Sequence, residues 1–576
     1  MRSPMHLTAA DYVVIIGYFA LVAGVGLWIK RTQATTSDYF AGGHQIPWWM
    51  AGVSHYMSGF SAFSFIVYSQ MAYTYGLVAI TIFWTGVPAC IVGGLFFARR
   101  WRRARVITPI EFLEERCNAG VRQLFIWIGI PSKLFDDALK IFATSLFIAV
   151  TVGIPLRASL ALCMLIVLSY TLSGGLLALV VADYVQFLMK SLAILLIFPL
   201  ALRRASLFSA HSVGISPELL RWTASPYNWV YVLGYGLVVL VSYNGNWALA
   251  QKYYSVPDER SASKAAYLSA ALVFVGTPIM FLPAILARKF LPDLIAQKRT
   301  EDVYVLMLLQ LLPVGMIGII VAAMFSATMA AVSSDVNAIA SVLTKDWYQR
   351  SWDQKASEGT LLAVGRWFTL AIGAIVFALS LWLAESQRQS LFQLMVSVLG
   401  VLVAPTILPI LALLVFRSLS TAGVVCGLVS GLTIGSAAML ISTLILAHHH
   451  FSENAILTWD GAGIIANMAG TALGMCLGTM IWPASAEEQA RSKAFIARMG
   501  RAVRQDEVPV NPGTADSSKI VGFATLIVGF LLVAAGALSG MRTAQIIDFT
   551  CGGLLAVGGL GLMMRKPVGR KYREIL

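Results

Sequence analysis

The chain has 576 residues, of which 58% are hydrophobic and 12% charged, and its formal net charge is +14. Soluble chains carry about 25% charged residues, so this composition excludes an ordinary water-soluble protein and makes lipid the solvent for most of the outside. A nucleic-acid site would need the basic excess gathered on one face of a soluble domain, and the six scattered cysteines form neither a disulfide framework nor a metal spacing.

Apolar runs long enough to cross ~30 Å of hydrocarbon recur throughout the sequence. They lie near 11–29, 46–70, 76–98, 121–150, 157–174, 177–202, 228–250, 264–288, 309–344, 363–385, 390–416, 421–446, 458–483, 518–539 and 548–564. The expected protein is therefore all-α and polytopic, with about 15 transmembrane helices. The first run lacks the basic flank and small-residue cleavage site of a signal peptide and is read as a span. An odd number of spans puts the termini on opposite sides. The basic loop Arg99 to Arg105 and the tail from Arg565 to Arg573 share one side when the N-terminus is outside and the C-terminus cytoplasmic. The basic excess is then an orientation signal. The sequence contains no Asn-x-Ser/Thr sequon, which favours a bacterial inner membrane.

Several spans are poor plain anchors. The second begins Ile46-Pro47-Trp48-Trp49 and turns small and hydroxylic through Ser58-Gly59-Phe60-Ser61-Ala62-Phe63-Ser64. Such a run predicts a local break, tolerated at membrane depth only against protein or a wet cavity. The fourth holds Lys133, Asp136, Asp137 and Lys140, whose i,i+3 and i,i+4 spacings allow mutual neutralisation on one face. The sixth carries Asp183 and Lys190, seven apart and so on one face. The seventh contains Tyr243-Asn244-Gly245-Asn246-Trp247, again polar with a glycine. It lies five spans after the second, as expected if two five-helix repeats of inverted topology each open with a broken helix. The ninth contains Thr328, Ser333, Ser334 and Asp335, and a carboxylate at that depth is a functional candidate. Asp183 with the two serines offers hard oxygen ligands to a small alkali cation, whereas His448-His449-His450 reads as a surface triplet.

These segments resemble the sodium:solute symporter family, which holds sodium-coupled sugar, proline, pantothenate and sialic acid carriers. The resemblance spans about 35–420. It rests on Ser37-Asp38-Tyr39-Phe40-Ala41-Gly42-Gly43 before Pro47-Trp48-Trp49, on Phe60-Ser61-Ala62, and on Ser173-Gly174-Gly175 leading to Ala182-Asp183-Tyr184-Val185-Gln186. It continues with Asn246-Trp247 before Gln251-Lys252, and with Met329 to Asn337 closing in Leu343-Thr344-Lys345-Asp346-Trp347-Tyr348. The resemblance implies a LeuT-like inverted-repeat core of ten helices and alternating access around a midplane site. It implies a sodium site at the carbonyls of Met57, Phe60 and Ala327, where Ala330 and Ala331 replace the family's usual Ser or Thr. It further implies a second cation site at Asp183, Ser333 and Ser334, with Asp335 or Thr328 making up a shortfall. The substrate cavity is expected at Ser61, Ser64, Tyr68, Asn246 and Trp247. A mixed hydroxyl and aromatic lining would suit a sugar, a polyol or a small organic acid.

The resulting division is an N-terminal helix and cytoplasmic loop (1–45), a transport core (46–416, with repeats at 46–202 and 228–416) and two peripheral helices (417–483). A cytoplasmic linker (484–517) then precedes two added helices with a basic cytoplasmic tail (518–576). The expected function is symport of a small-molecule substrate with sodium, or with a proton, across the lipid bilayer; no other cofactor and no nucleic acid are implied. An uncoupled carrier and a transporter-like sensor are the rival readings. An enzyme is not expected, since neither His-Glu-x-x-His nor Gly-x-Ser-x-Gly occurs.

Overall fold

A computed structural model describes residues 9–29, 35–205, 216–297, 299–312, 317–386, 391–446, 451–504, 507, 517–538 and 542–564. The histidine triplet at 448–450 and the basic tail from Arg565 lie outside the described residues. The protein is an all-α, polytopic membrane protein. Among the described residues, eight helices are long and apolar enough to cross a membrane, and five shorter apolar helices accompany them.

The main helices in chain order are α1 (Ala9–Ile29), α2 (Trp48–Ser58), α3 (Ala62–Tyr75), α4 (Val78–Ala104), α5 (Ala119–Val152), α6 (Leu156–Arg204), α7 (Trp229–Gly245) and α8 (Trp247–Tyr254). They continue as α9 (Glu259–Leu286), α10 (Ile317–Val342), α11 (Glu358–Ser386), α12 (Leu391–Val415), α13 (Thr421–Leu440), α14 (Glu453–Ile481), α15 (Ser517–Leu538) and α16 (Arg542–Met564). The most deeply buried is α10, which packs on α1, α2, α5, α6 and α11. In contrast, α13 and α14 pair at the periphery, and the α15–α16 hairpin docks on α1.

The second apolar run is broken, as its composition predicts. Helix α2 stops at Ser58, Ser61 is extended (φ −148°, ψ 171°), and α3 starts at Ala62. The backbone N–H of Ala62, stranded by the break, donates to Thr328 Oγ1 on α10 at 2.8 Å. The seventh run breaks at Asn246 (φ −58°, ψ 135°), whose Oδ1 accepts from Ala248 N at 3.1 Å and so caps α8. Gly245 is required there because a Cβ would lie 2.2 Å from the Ile407 side chain of α12. The two runs expected at 157–174 and 177–202 form the arms of α6, which turns at Gly175. That residue has φ +55°, and a Cβ on it would lie 2.5 Å from the carbonyl oxygen of Tyr39.

The reading of 484–517 as a linker requires correction, because Ala486–Gly500 is a helix. Ser485 caps it, Glu487 and Glu488 lie in its first turn and Arg498 in its last, matching the helix dipole. Its buried face, Glu488, Ser492, Phe495 and Met499, is spaced at the helical period but diluted by surrounding charge. It lies on the short helix Phe112–Arg116: Phe495 stacks on Phe112 at 5.6 Å and Arg498 pairs with Glu115 at 2.5 Å. Arg105 pairs with Glu507 at 2.5 Å on the same side, and this guanidinium holds the Glu507 carboxyl below its usual range.

The buried Arg116 guanidinium donates to Leu413 O at 3.1 Å, to Phe416 O at 2.6 Å and to the Ser492 hydroxyl. It thereby satisfies carbonyls stranded at the end of α12. Arg116→Ala is expected to destabilise the protein by about 1–3 kcal/mol, the cost of leaving buried acceptors unpaired. Thermal unfolding of the purified chain in detergent, read as a lowered Tm, checks this.

Candidate functional site: a polar cavity between two helix breaks

Both breaks open onto one cavity of about 220 Å³. The α2–α3 break contributes Ser61, Ser64 and Tyr68, and the α7–α8 break contributes Asn246 and Trp247. All five residues expected to contact a substrate therefore share one cavity. Its remaining walls include Phe83 and Thr85 of α4, Lys133, Asp136 and Lys140 of α5, Ala331 and Asp335 of α10, and Thr406 of α12. The Tyr68 and Tyr235 hydroxyls meet at 2.8 Å, so the wall is aromatic with a few fixed polar groups.

The charges in this wall form one network. Lys133 Nζ donates to Asn246 Oδ1 at 2.9 Å and to Asp335 Oδ1 at 3.2 Å, and lies 5.4 Å from the Trp247 ring centre. Lys140 Nζ reaches Asp136 at 2.7 Å, Asp335 at 3.3 Å and Asp137 at 3.4 Å. The intrahelical pairing expected on α5 is present, and Asp335 extends it across to α10. One carboxylate oxygen from each of Asp136, Asp137 and Asp335 lies within 4.8 Å of the others. The two ammonium groups balance two of the three acidic side chains, and Asp137 Oδ2 has no hydrogen-bond partner among the described residues.

Asp183 lies in a second polar group. The Ser54 hydroxyl donates to Asp183 Oδ2, and Lys252 Nζ lies 4.0 Å from the same oxygen. Lys252 also donates to Ser334 Oγ at 3.2 Å, and Ser58 Oγ donates to Ser334 at 3.1 Å. Asp183, Ser334 and the end of α2 are thus gathered around one buried ammonium. Ser333 turns its hydroxyl onto Ala330 O at 3.4 Å, while Met57, Phe60 and Ala327 are buried. Asp335 pairs with the lysines of α5. Sequence reasoning missed Ser54 and the role of Lys252, which it met only as part of Gln251-Lys252 in the family resemblance; it named Thr328 as a cation ligand, whereas the hydroxyl accepts from Ala62 N.

A sodium ion needs several hard oxygens converging on one point. Asp183 Oδ1 is buried, makes no hydrogen bond among the described residues and is one such oxygen, while Ser334 is linked to Asp183 through Lys252 and Ser333 is turned to Ala330 O. At the α2–α3 break, Ala330 and Ala331 present no side-chain oxygen.

A family model described as the sodium:solute symporter family matches residues 39–431. This chain belongs to that family. It is 26% identical over 460 residues to a sodium/glucose cotransporter of Vibrio parahaemolyticus, covering 74% of this chain and 84% of that one. It is 25% identical over 413 residues to the sodium/sialic acid symporter NanT of Aliivibrio fischeri, covering 69% and 81%. A solved substrate-bound, outward-open structure of a Na+-coupled sialic acid symporter superposes with a TM-score of 0.67 at 21% identity, covering 81% of this chain and 98% of that chain. At that identity the superposition speaks for the fold. Family membership makes the protein a secondary active transporter of the sodium:solute symporter type, working by alternating access, and not a catalytic enzyme.

The network predicts strong coupling between Lys133 and Asp335, whose side chains are 11% and 6% exposed. Asp335→Leu alone is expected to destabilise the protein by about 3–5 kcal/mol, because it leaves a buried ammonium undercompensated. Adding Lys133→Met should recover much of that loss. A double-mutant cycle of unfolding free energies measures the difference.

Proposed function

We propose that the chain imports a small polar organic solute together with sodium, holding the solute between the two helix breaks. One observation carries this reading: breaks in the runs expected as second and seventh spans line the same cavity, at Ser61 and at Asn246. Their five-span separation supports a LeuT-like core of two inverted five-helix repeats, placed at 46–202 and 228–416 in a topology of about fifteen spans. In this topology the N-terminus is outside and the C-terminus cytoplasmic.

Sodium is assigned to the oxygens of Asp183, Ser333 and Ser334. The solute is assigned to Ser61, Ser64, Tyr68, Asn246 and Trp247, a lining suited to a sugar, a polyol or a small organic acid. Support for sodium comes from the relatives' description as sodium-coupled and from the free Oδ1 of Asp183.

Uptake into proteoliposomes of labelled sugars, polyols and carboxylates, with sodium and proton gradients imposed separately, tests both assignments. A sodium gradient should drive accumulation, and Asp183→Asn should abolish the sodium stimulation. Accumulation driven by a proton gradient alone would move the coupling to protons, and flux indifferent to both gradients would refute symport.

A further inference from the structure

A buried charge outside this assignment lies beside the first helix break. Lys190, on α6 and only 1% exposed, places its Nζ 3.3 Å from the ring centre of Phe60 and 3.9 Å from that of Tyr56. These rings flank the residues at which α2 ends. Among the described residues the ammonium has no hydrogen-bond partner and no carboxylate at ion-pair distance. Asp183, seven residues earlier on the same helix, is engaged by Ser54 and Lys252.

Three features make this a cation position. The C-terminal end of α2 presents the negative end of a helix dipole, with Met57 O accepting from Phe60 N at 3.0 Å. Tyr56 and Phe60 present ring faces, which attract a cation most strongly where water is excluded. Helix α10 closes the break through Thr328, bonded to Ala62 N, and Ser334, bonded to Ser58. On that helix Ala327, Ala330 and Ala331 share the face of Ser334 at 3.6 residues per turn. The break thus attracts positive charge, while from α10 the Thr328 and Ser334 hydroxyls are already engaged by Ala62 N, Ser58 and Lys252, and the alanines between them add no oxygen.

We propose that the Lys190 ammonium is a tethered cation at the α2–α3 break, standing where a free sodium ion would otherwise bind, so that the chain binds no sodium at this position. The Proposed function is independent of this, because its sodium is assigned to Asp183. Rings replace oxygens as the attracting groups, and a fixed side chain replaces a diffusing ion. The tethered side chain then fills the break at any sodium concentration, and only the Asp183 region responds to sodium.

Radiolabelled sodium binding to the purified full-length protein, with sodium alone as the probe, tests this without knowledge of the solute. Wild type should bind no more than one sodium, and D183N none. The double variant A330S/A331S, which restores hydroxyls but keeps Lys190, should bind no more than wild type. K190A/A330S/A331S should gain one sodium, and should keep it when D183N is added. A second sodium on wild type, residual sodium on D183N, or a gain in A330S/A331S with Lys190 present would each overturn the proposal. So would a triple variant that unfolds cooperatively near the wild-type Tm yet gains no sodium. If the triple variant fails to fold, the wild-type and D183N stoichiometries still decide. Wild type binding no sodium while the triple variant gains one would defeat the Asp183 assignment and leave the tethered cation standing.

Discussion

A helix that stops inside a bilayer strands backbone N–H and C=O groups that water does not reach, at several kcal/mol for each one left unpaired. Much of this architecture follows from meeting that requirement at two places. At the first break, Thr328 accepts from Ala62 N while Ser334 accepts from Ser58, so α10 has to be buried and hydroxylic. At the second, Asn246 supplies its own cap to α8, and Gly245 lets α12 approach the backbone. The breaks can face a common cavity because helices around them take up the hydrogen bonds they forgo.

The same low dielectric organises the charges. Lys133, Lys140, Asp136, Asp137 and Asp335 form one buried network joining α5 to α10. Asp183 and Lys252 form another between α6 and α8, with Ser54 and Ser334 completing it. Both networks cross between elements that are distant in sequence. Relative movement of α10 and its neighbours would therefore change ion pairs as well as packing, which ties any binding event in the cavity to the arrangement of the bundle.

The breaks were legible in the residues because Ser58-Gly59 and Asn244-Gly245-Asn246 are local interruptions of long apolar runs. Local chemistry of this kind needs no knowledge of neighbours. The partner of Asp335 was not legible: its spacing from Ser333 and Ser334 invites a shared site with Asp183, yet its carboxylate faces the lysines of α5. Helix Ala486–Gly500 was hidden for a different reason, since its short buried stripe gains meaning only against Phe112 and the end of α12.

By itself the sequence determined the solvent, the all-α class, the two breaks and the five residues now found lining one cavity. The first three depend on composition or on local interruptions of a single run, whereas the five residues came from pairing the two breaks as the openings of inverted repeats and from the family resemblance. Only the tertiary structure decided which buried charges meet. It set Asp335 between Lys133 and Lys140, Lys252 between Asp183 and Ser334, and Lys190 over the rings of Tyr56 and Phe60. Those meetings depend on how helices far apart in the chain rotate and pack, and pairing among charges is a property of three-dimensional distance that one-dimensional spacing does not contain.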